Sequence, residues 1–237
     1  VSVLDSSVLP SLSHPVLTPV YIQRTRPPVS SDGYCDDSGV LLIMSEFSEM
    51  TVGVLALQGD YDAHLRQVAQ VGARGVAIRL PHQLAEISAL IIPGGESTTM
   101  NLLINRFGLR KPLMGFGRTK PVWGTCAGMI MLSHTIEDNQ SGVQPLGLLD
   151  ISVRRNGYGR QVYSFEEKVR VRINEADATI TATFIRAPLV VSYGQGVQVL
   201  ASFQGTPVLV RQANVMASSF HTELDDDTTL LRLFLSN

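Results

Sequence analysis

Apolar residues beyond position 50 form short continuous runs that alternate with stretches of helical spacing. The run TVGVLAL at 51–57 is typical of a buried strand, and YDAHLRQVAQVG at 61–72 is typical of a helix that stops at Gly72. The apolar residues near helical spacing in that stretch are Leu65, Val68, Ala69 and Val71. The pattern therefore predicts a strand followed at once by a helix.

The same alternation continues along the chain. Further strands are predicted at 75–80, 89–93 and 120–124, and further helices at 98–108 and 127–136. The later part is richer in short β runs, at 147–155, 182–187, 197–203, 206–212 and 215–220, before a last helix at 227–235. This order predicts an α/β fold of flavodoxin-like type: a doubly wound, mostly parallel sheet flanked by helices, with extra short β strands in the C-terminal half.

Residues 1–49 differ from the rest of the chain. They mix Pro, Ser and Thr without a helical or strand period, and Met50 directly precedes the first convincing strand. We expect a poorly ordered leader or non-native extension at 1–49 and one domain at 50–237. Arg24 and Arg26 leave a transit peptide as an alternative.

Composition narrows the class of protein. A net charge of −2, with 44% hydrophobic and 17% charged residues, gives no electrostatic reason to expect a nucleic-acid partner. Two cysteines, Cys35 and Cys126, cannot build a disulfide framework, which favours a reducing compartment. No apolar run approaches the ~20 residues of a membrane-spanning helix. We expect a cytoplasmic protein without a membrane partner, and targeting by residues 1–49 stays open.

Cys126 lies in GTCAG at 124–128, between a predicted strand and a predicted helix. This G-x-C-x-G pattern is the thiol counterpart of the nucleophile elbow, a sharp turn in which flanking glycines relieve crowding. A helix N-terminus favours an anionic thiol, and the Ala127 amide would face an oxyanion formed on attack. The alternative is a small buried cysteine that fills core space.

A nucleophilic thiol needs a base, usually a histidine oriented by a third polar group. His221 directly follows a predicted strand, and Glu223 would lie on the same side if the alternation persists. A surface His and Glu at a strand end is the alternative. The other histidines are expected elsewhere: His14 in the leader, His64 and His82 at solvated surface positions, and His134 two turns along the helix after Cys126.

The segment PGGEST at 93–98 leaves a buried strand through two glycines into a helix. Free backbone N–H groups in such a turn can bind an anion or a developing oxyanion. A plain strand-to-helix turn is the alternative.

Together these segments resemble the class I, triad-type glutamine amidotransferases. More narrowly they resemble the glutaminase subunit of pyridoxal 5′-phosphate synthase, and the resemblance runs from about Met50 to the C-terminus. The segments that carry it are GVLALQGDYDAH (53–64), PGGESTTM (93–100), WGTCAGMI (123–130), RNGYGRQVYSFE (155–166), FIRAP (184–188) and SFHTEL (219–224).

The resemblance implies a role for each matching residue. Cys126 would be the nucleophile, His221 the general base and acid, and Glu223 its orienter. Amides of Gly95 and Ala127 would form the oxyanion hole. The residues implied in binding L-glutamine are Gly94, Gly95, Glu96, Arg155, Ile185 and Arg186.

The resemblance also implies the reaction and the partner. Glutamine would be hydrolysed to glutamate and ammonia without a metal or organic cofactor. The ammonia would pass to a separate (β/α)₈-barrel synthase subunit that assembles pyridoxal 5′-phosphate, in a hetero-oligomer. Gln58 resembles the part of the family that faces this subunit and helps to set the oxyanion loop.

Two departures from the family pattern bear on activity. Thr222 stands where the family usually has proline, so we expect His221 to be held less firmly. The last helix is expected to be shorter than in the family. Three alternatives stay open: a glutaminase that serves another synthase, a catalytically impaired interaction subunit, and a cysteine peptidase or related hydrolase on the same turn.

Overall fold

The computed structural model describes residues 46–137, 139–157, 164–173 and 176–236, together with the backbone of strands β1 (Tyr34–Cys35) and β2 (Leu41–Leu42). Contacts divide the chain between residues 43 and 44. The strands β1 and β2 form an antiparallel pair in the first part. Most of residues 1–49 lie outside the described residues, so the domain boundary at residue 50 stays a prediction.

Helices and strands alternate at the start of the second part, which becomes strand-rich later. The elements are β3 (Thr51–Leu55), α1 (Tyr61–Gln70), β4 (Arg74–Ile78), a 3₁₀ helix (Pro81–Glu86), β5 (Ala89–Ile92), α2 (Ser97–Arg106), α3 (Arg110–Gly117), β6 (Val122–Thr125), α4 (Ala127–Leu132), β7 (Ser133–Glu137), β8 (Leu149–Arg154), β9 (Ser164–Ile173), β10 (Ala176–Ile185), β11 (Leu189–Tyr193), β12 (Gln198–Phe203), β13 (Thr206–Gln212), β14 (Val215–Ser218) and α5 (Thr229–Leu235). Among these helices, none combines the length and the apolar character that crossing a bilayer requires.

Seven strands form the central sheet in the order β12-β13-β14-β6-β5-β3-β4. The five strands from β14 to β4 run parallel, and β12, β13 and β14 pair antiparallel. A smaller sheet has the order β11-β8-β7, and β9 pairs with β10 as a hairpin. The predicted fold class is confirmed: a mostly parallel sheet flanked by helices, with additional strands in the C-terminal half.

The central sheet is buried on both faces. On β5, Ala89 and Ile91 belong to one core cluster, whereas Leu90 and Ile92 belong to the other, and all four are 0% exposed. A parallel strand covered by helices on both sides needs such a continuous apolar run. The sheet therefore fixes the position of the loops that leave its carboxyl edge.

The predicted helix at 127–136 is wrong in its second half. It ends at Leu132, and the next residues form β7, which pairs in parallel with β8. The Ser133 hydroxyl donates to the Ile130 carbonyl at 2.8 Å and closes the last turn. The Leu132 carbonyl accepts a hydrogen bond from Leu148 N–H at 3.0 Å instead of continuing the helix. Pairing across the smaller sheet thus replaces the helical pattern.

Candidate active site

Cys126 lies in a sharp turn between β6 and α4. Its backbone has φ 49° and ψ −104°, a combination that residues with a side chain seldom adopt and that is concentrated at functional sites. A Cβ at Gly124 would overlap the backbone of Gly128, and a Cβ at Gly128 would overlap the carbonyl oxygen of Ile92. The flanking glycines are therefore required by close backbone approach. The Cys126 N–H donates to the Ser218 carbonyl at 2.8 Å, which ties the turn to β14.

His221 lies just beyond β14 and next to the turn of Cys126. Its backbone N–H donates to the Thr183 carbonyl at 2.8 Å, and the Thr183 N–H donates back at 3.2 Å. Its Nδ1 lies 2.6 Å from Glu223 Oε1, and its side chain lines the same cavity as Cys126. The structure therefore brings together the thiol, imidazole and carboxylate that the sequence predicted.

The histidine and the carboxylate titrate as a charged pair. Burial opposes a charge on His221, but hydrogen bonds to Cys126 and Glu223, with the charge of Glu223, raise its pKa to about 10. Burial also opposes a charge on Glu223, but the hydrogen bond from His221 is the main influence that lowers the pKa of Glu223 to about 2. At neutral pH the imidazole is thus protonated and can act as a proton donor.

The loop Gly94–Glu96 packs against the imidazole, because a Cβ at Gly94 would overlap His221 Cε1. Gly95 has φ +135°, a conformation that favours glycine. Gln58 fixes this loop, since its Oε1 accepts a hydrogen bond from the Glu96 N–H at 3.0 Å. This contact agrees with the predicted role of Gln58 in setting the loop, while its place at a partner interface stays a prediction.

Ala127 is the first residue of α4, so its N–H has no acceptor within that helix. Its position directly after Cys126 is the one that an oxyanion donor needs. The oxyanion role of Ala127, together with that of Gly95, stays a prediction.

A cavity of about 330 Å³ opens over the thiol. It is lined by Gly95, Glu96, Ser97, Cys126, Ile130, Arg155, Asn156, Ile185, Arg186 and His221. Seven of these ten residues were predicted site residues. The lining does not include the predicted residues Gln58, Gly94, Ala127 and Glu223. The sequence reasoning missed Ser97, Ile130 and Asn156. Two of them directly follow predicted residues, and Ile130 lies one helical turn beyond Cys126.

The cavity wall includes Arg155, Arg186 and the main-chain carbonyl of Ile185. Arg155 Nη1 donates to Thr98 Oγ1 at 3.4 Å, and Cys126 Sγ lies 3.7 Å from the Ile185 carbonyl oxygen. Arg186 has φ +44°, so its backbone is held in the left-handed region. Residues 158–163 of the segment that begins at Arg155 lie outside the described residues.

Glu96 caps helix α2 at the rim of the cavity. Its carboxylate accepts hydrogen bonds from Thr98 N–H at 3.0 Å and from Thr99 N–H at 2.6 Å. Partial burial raises the pKa of Glu96, but these hydrogen bonds outweigh it and lower the pKa below its ordinary value. The rim therefore carries a fixed negative charge.

A larger cavity, of about 520 Å³, lies elsewhere and is lined by Arg118, His134, Asp150 and Asn214 among others. It adjoins the first residue of β14, at the opposite end of the strand from His221. It contains none of the predicted site residues. The smaller cavity, which Cys126 and His221 line, is therefore the candidate active site.

The prediction that His64 is solvated is wrong. Its side chain is 0% exposed, with Nε2 3.3 Å from Thr125 Oγ1 and 3.5 Å from Glu223 Oε1. The buried face of α1 comprises Ala63, His64, Gln67 and Val68, whereas Ala69 is exposed. The apolar pattern did not predict this face correctly, because two of its buried residues, His64 and Gln67, are polar. The signal that could have identified them is their i, i+3 and i+4 spacing with Val68.

His82 and His134 lie outside the site and are both exposed. His82 is exposed as predicted. His134 is also exposed, although it lies on β7 rather than on the helix after Cys126. His14 lies outside the described residues.

Known proteins resemble this chain over the part that contains the site. The pyridoxal 5′-phosphate synthase subunit PdxT of Dehalococcoides mccartyi is 48% identical over 189 residues, covering 78% of this chain and 96% of the relative. The subunit of the same name from Desulforudis audaxviator is 49% identical over 187 residues, covering 78% and 97%. A crystal structure described as a glutamine amidotransferase superposes with a TM-score of 0.73 at 42% identity, covering 78% of this chain and 97% of that one. A family model described as the SNO glutamine amidotransferase family matches residues 54–237. As its motifs predicted, the chain belongs to the SNO glutamine amidotransferase family.

Proposed function

We propose that this glutamine amidotransferase is the glutaminase subunit of a pyridoxal 5′-phosphate synthase. The observation that carries the proposal is that Cys126 and His221, with Glu223 hydrogen-bonded behind the imidazole, meet at a cavity that two arginines also line. Relatives named as PdxT, at 48% and 49% identity, support the narrower assignment.

The cavity suits an amino acid that bears both charges. Arg155 and Arg186 are among its lining residues, and a guanidinium group can pair with an α-carboxylate. The ionised Glu96 lies at its rim and can attract an α-ammonium group. Glutamine bound between these groups would direct its carboxamide toward Cys126.

The chemistry follows from the order of the groups. The Cys126 thiolate attacks the side-chain carbonyl carbon of glutamine, and main-chain amides stabilise the oxyanion. His221 donates its proton to the departing nitrogen, so the C–N bond breaks and ammonia leaves behind a γ-glutamyl thioester. His221, now neutral, takes a proton from water, which attacks the thioester and releases glutamate and the thiolate. Throughout, Glu223 stabilises the imidazolium form.

The ammonia would pass to a separate synthase subunit, the (β/α)₈ barrel that the sequence resemblance implies. Gln58 lies in the loop between β3 and α1, and its side chain accepts a hydrogen bond from the Glu96 N–H. A partner that contacts this region would therefore act directly on the loop that carries Gly95. The cytoplasmic location expected from the sequence also stays a prediction.

The test is glutamine hydrolysis by the wild type, Cys126→Ala and Cys35→Ala, each with and without a pyridoxal 5′-phosphate synthase barrel subunit. We expect Cys126→Ala to abolish glutamate release, a loss of at least about 10³-fold, because the nucleophile is removed. Cys35→Ala, which removes the other cysteine, should retain activity. Wild-type protein that releases no glutamate even with the barrel subunit would support the interaction-subunit alternative, and ammonia delivery only to another synthase would redirect the assignment.

A further inference from the structure

His64 is a buried polar residue that the reaction described above does not use. It projects from α1 into the space between the end of β6 and the loop after β14, with its Nε2 3.3 Å from Thr125 Oγ1 and 3.5 Å from Glu223 Oε1. The imidazole of His64 also makes a T-shaped contact with the ring of Trp123, with 6.1 Å between the ring centroids. One side chain thus contacts both the residue before the nucleophile and the orienting carboxylate.

The surroundings of the two ring nitrogens define the tautomer. His64 Nδ1 is buried and has no hydrogen-bond partner among the described residues, whereas Nε2 faces oxygen atoms. Burial is the main influence that lowers the pKa of His64, with Glu223 and Asp60 opposing and His221 adding to the decrease. A neutral imidazole carries one N–H. The Thr125 hydroxyl can donate to or accept from Nε2, but a lone pair on Nε2 would also face the Glu223 carboxylate at 3.5 Å, so we assign the proton to Nε2.

Within the described part of the chain, the Glu223 carboxylate has hydrogen-bond donors on its own segment and a contact with His64 at 3.5 Å. Its Oε1 accepts from His221 Nδ1 at 2.6 Å, and its Oε2 accepts from Thr222 N–H at 3.0 Å. Both of these donors belong to the same short segment as Glu223. His64 approaches the carboxylate from a different element, so it ties that segment to α1 and to the strand that carries Cys126.

We propose that His64 is a positioning residue of the glutaminase reaction, whose Nε2–H holds the Glu223 carboxylate ionised and aligned behind His221. The inference rests on the proposed function. His64 does not line the cavity, so it acts on the alignment and charge of the pair rather than on glutamine binding.

The activity test compares His64→Phe, which keeps a ring but removes the donor, with His64→Gln, which restores an N–H donor. The exposed His82→Phe is the matched control. We expect kcat of His64→Phe to fall about tenfold or more, with KM changed less than about twofold, because a hydrogen bond to a charged group is lost. We also expect the acid limb of its kcat profile to move to higher pH, since Glu223 becomes easier to protonate. His64→Gln should recover part of both effects.

A second measurement uses the wild type and does not depend on any variant folding. Nitrogen NMR of histidine-labelled protein at pH 8, above the ordinary imidazole pKa of 6.5, should show His64 as the neutral Nε2–H tautomer. An Nδ1–H tautomer, or a His64→Phe enzyme with wild-type kcat and pH profile, would overturn the inference. If instead the wild type releases no more glutamate than Cys126→Ala, the proposed function fails, and the NMR tautomer still decides whether Nε2 carries the proton that the inference requires.

Discussion

Thr222 separates the two residues of the charged pair, and its main chain takes part in their alignment. The Thr222 N–H donates to Glu223 Oε2 at 3.0 Å, and its carbonyl accepts from Gln67 Nε2 at 2.7 Å. Proline, which the family usually has here, could not make the first bond. The sequence suggested that threonine would hold His221 less firmly, whereas the structure gives it a donor that stiffness alone would not supply.

Replacing Thr222 tests this contribution. Thr222→Pro removes a hydrogen bond to a charged group, worth roughly 1.5–3 kcal/mol, and gains roughly 0.4–1 kcal/mol through a stiffer unfolded chain. We expect the free energy of unfolding to fall by about 1 kcal/mol relative to Thr222→Val, which keeps the N–H and the shape of the side chain. Urea denaturation at pH 7 measures the difference. Equal or greater stability of the proline variant would show that the donor contributes nothing net.

The sequence predicted the reacting groups better than their supports. Cys126, His221 and Glu223 could be identified because each follows a predicted strand that ends at the same edge of a parallel sheet. The burial of His64 could be inferred from its spacing with Val68, but its contacts could not, because its partner Thr125 is 61 residues away in the sequence. Arg155 and Arg186 depended on the family resemblance, since nothing in a lone arginine distinguishes a substrate contact from a surface ion pair.

At the scale of elements, the helix α4, which follows the nucleophile, packs so closely against β5 that it has no room for a side chain at Gly128. Gly128 lies in the first turn of α4 and approaches the carbonyl oxygen of Ile92 on β5, so this glycine permits the helix to pack against the sheet. The strands of the central sheet were predicted to within a few residues of their observed bounds. The strands β9 and β11 and the helix α3 were missed. The local sequence of α3, with Pro112 and two glycines, disfavours a helix, whereas β9 alternates apolar and polar residues at Val169–Ile173 and its strand pattern was overlooked.

A pair of glycine substitutions tests this packing. Gly128→Ala would place a methyl group against the Ile92 carbonyl, so we expect a loss of unfolding free energy of about 1–3 kcal/mol and reduced glutaminase activity. Gly115→Ala in α3 has open space around the new methyl group, so we expect a gain of about 0.5–1 kcal/mol through helix propensity. Thermal unfolding of both variants, with glutamate release at pH 7, gives the comparison. A Gly128→Ala protein as stable as Gly115→Ala would contradict the close approach.

At the scale of the whole molecule, the parallel part of the sheet gathers the site from distant segments. The strands β5, β6 and β14 are neighbours, and the loops after them carry Glu96, Cys126 and His221. These three strands contribute residues to both hydrophobic core clusters. The alignment of the reacting groups therefore depends on the folding of the whole core. Global stability should in turn depend on the ionisation of the site.

The pH dependence of stability follows from the pair His221 and Glu223. The folded-state pKa of His221 rises from 6.5 to about 10, so its stabilising contribution is complete below pH 6.5 and is lost as pH rises through 10. The pKa of Glu223 falls from 4.5 to about 2, so its contribution is present above pH 4.5 and is lost as pH falls toward 2. The pair therefore stabilises the fold most between about pH 4.5 and 6.5.

Calorimetric Tm values of the wild type and of His221→Gln, taken from pH 5 to pH 10, test this linkage. We expect the wild type to be more stable at pH 5–6, and the gap between the two proteins to narrow steadily above pH 6.5 as His221 loses its proton in the unfolded chain and then in the folded one. His82→Gln, at an exposed position, should follow the wild type throughout. A gap that stays constant between pH 6.5 and 10 would mean that His221 is not held protonated in the folded protein, and that the imidazole awaits substrate in its neutral form.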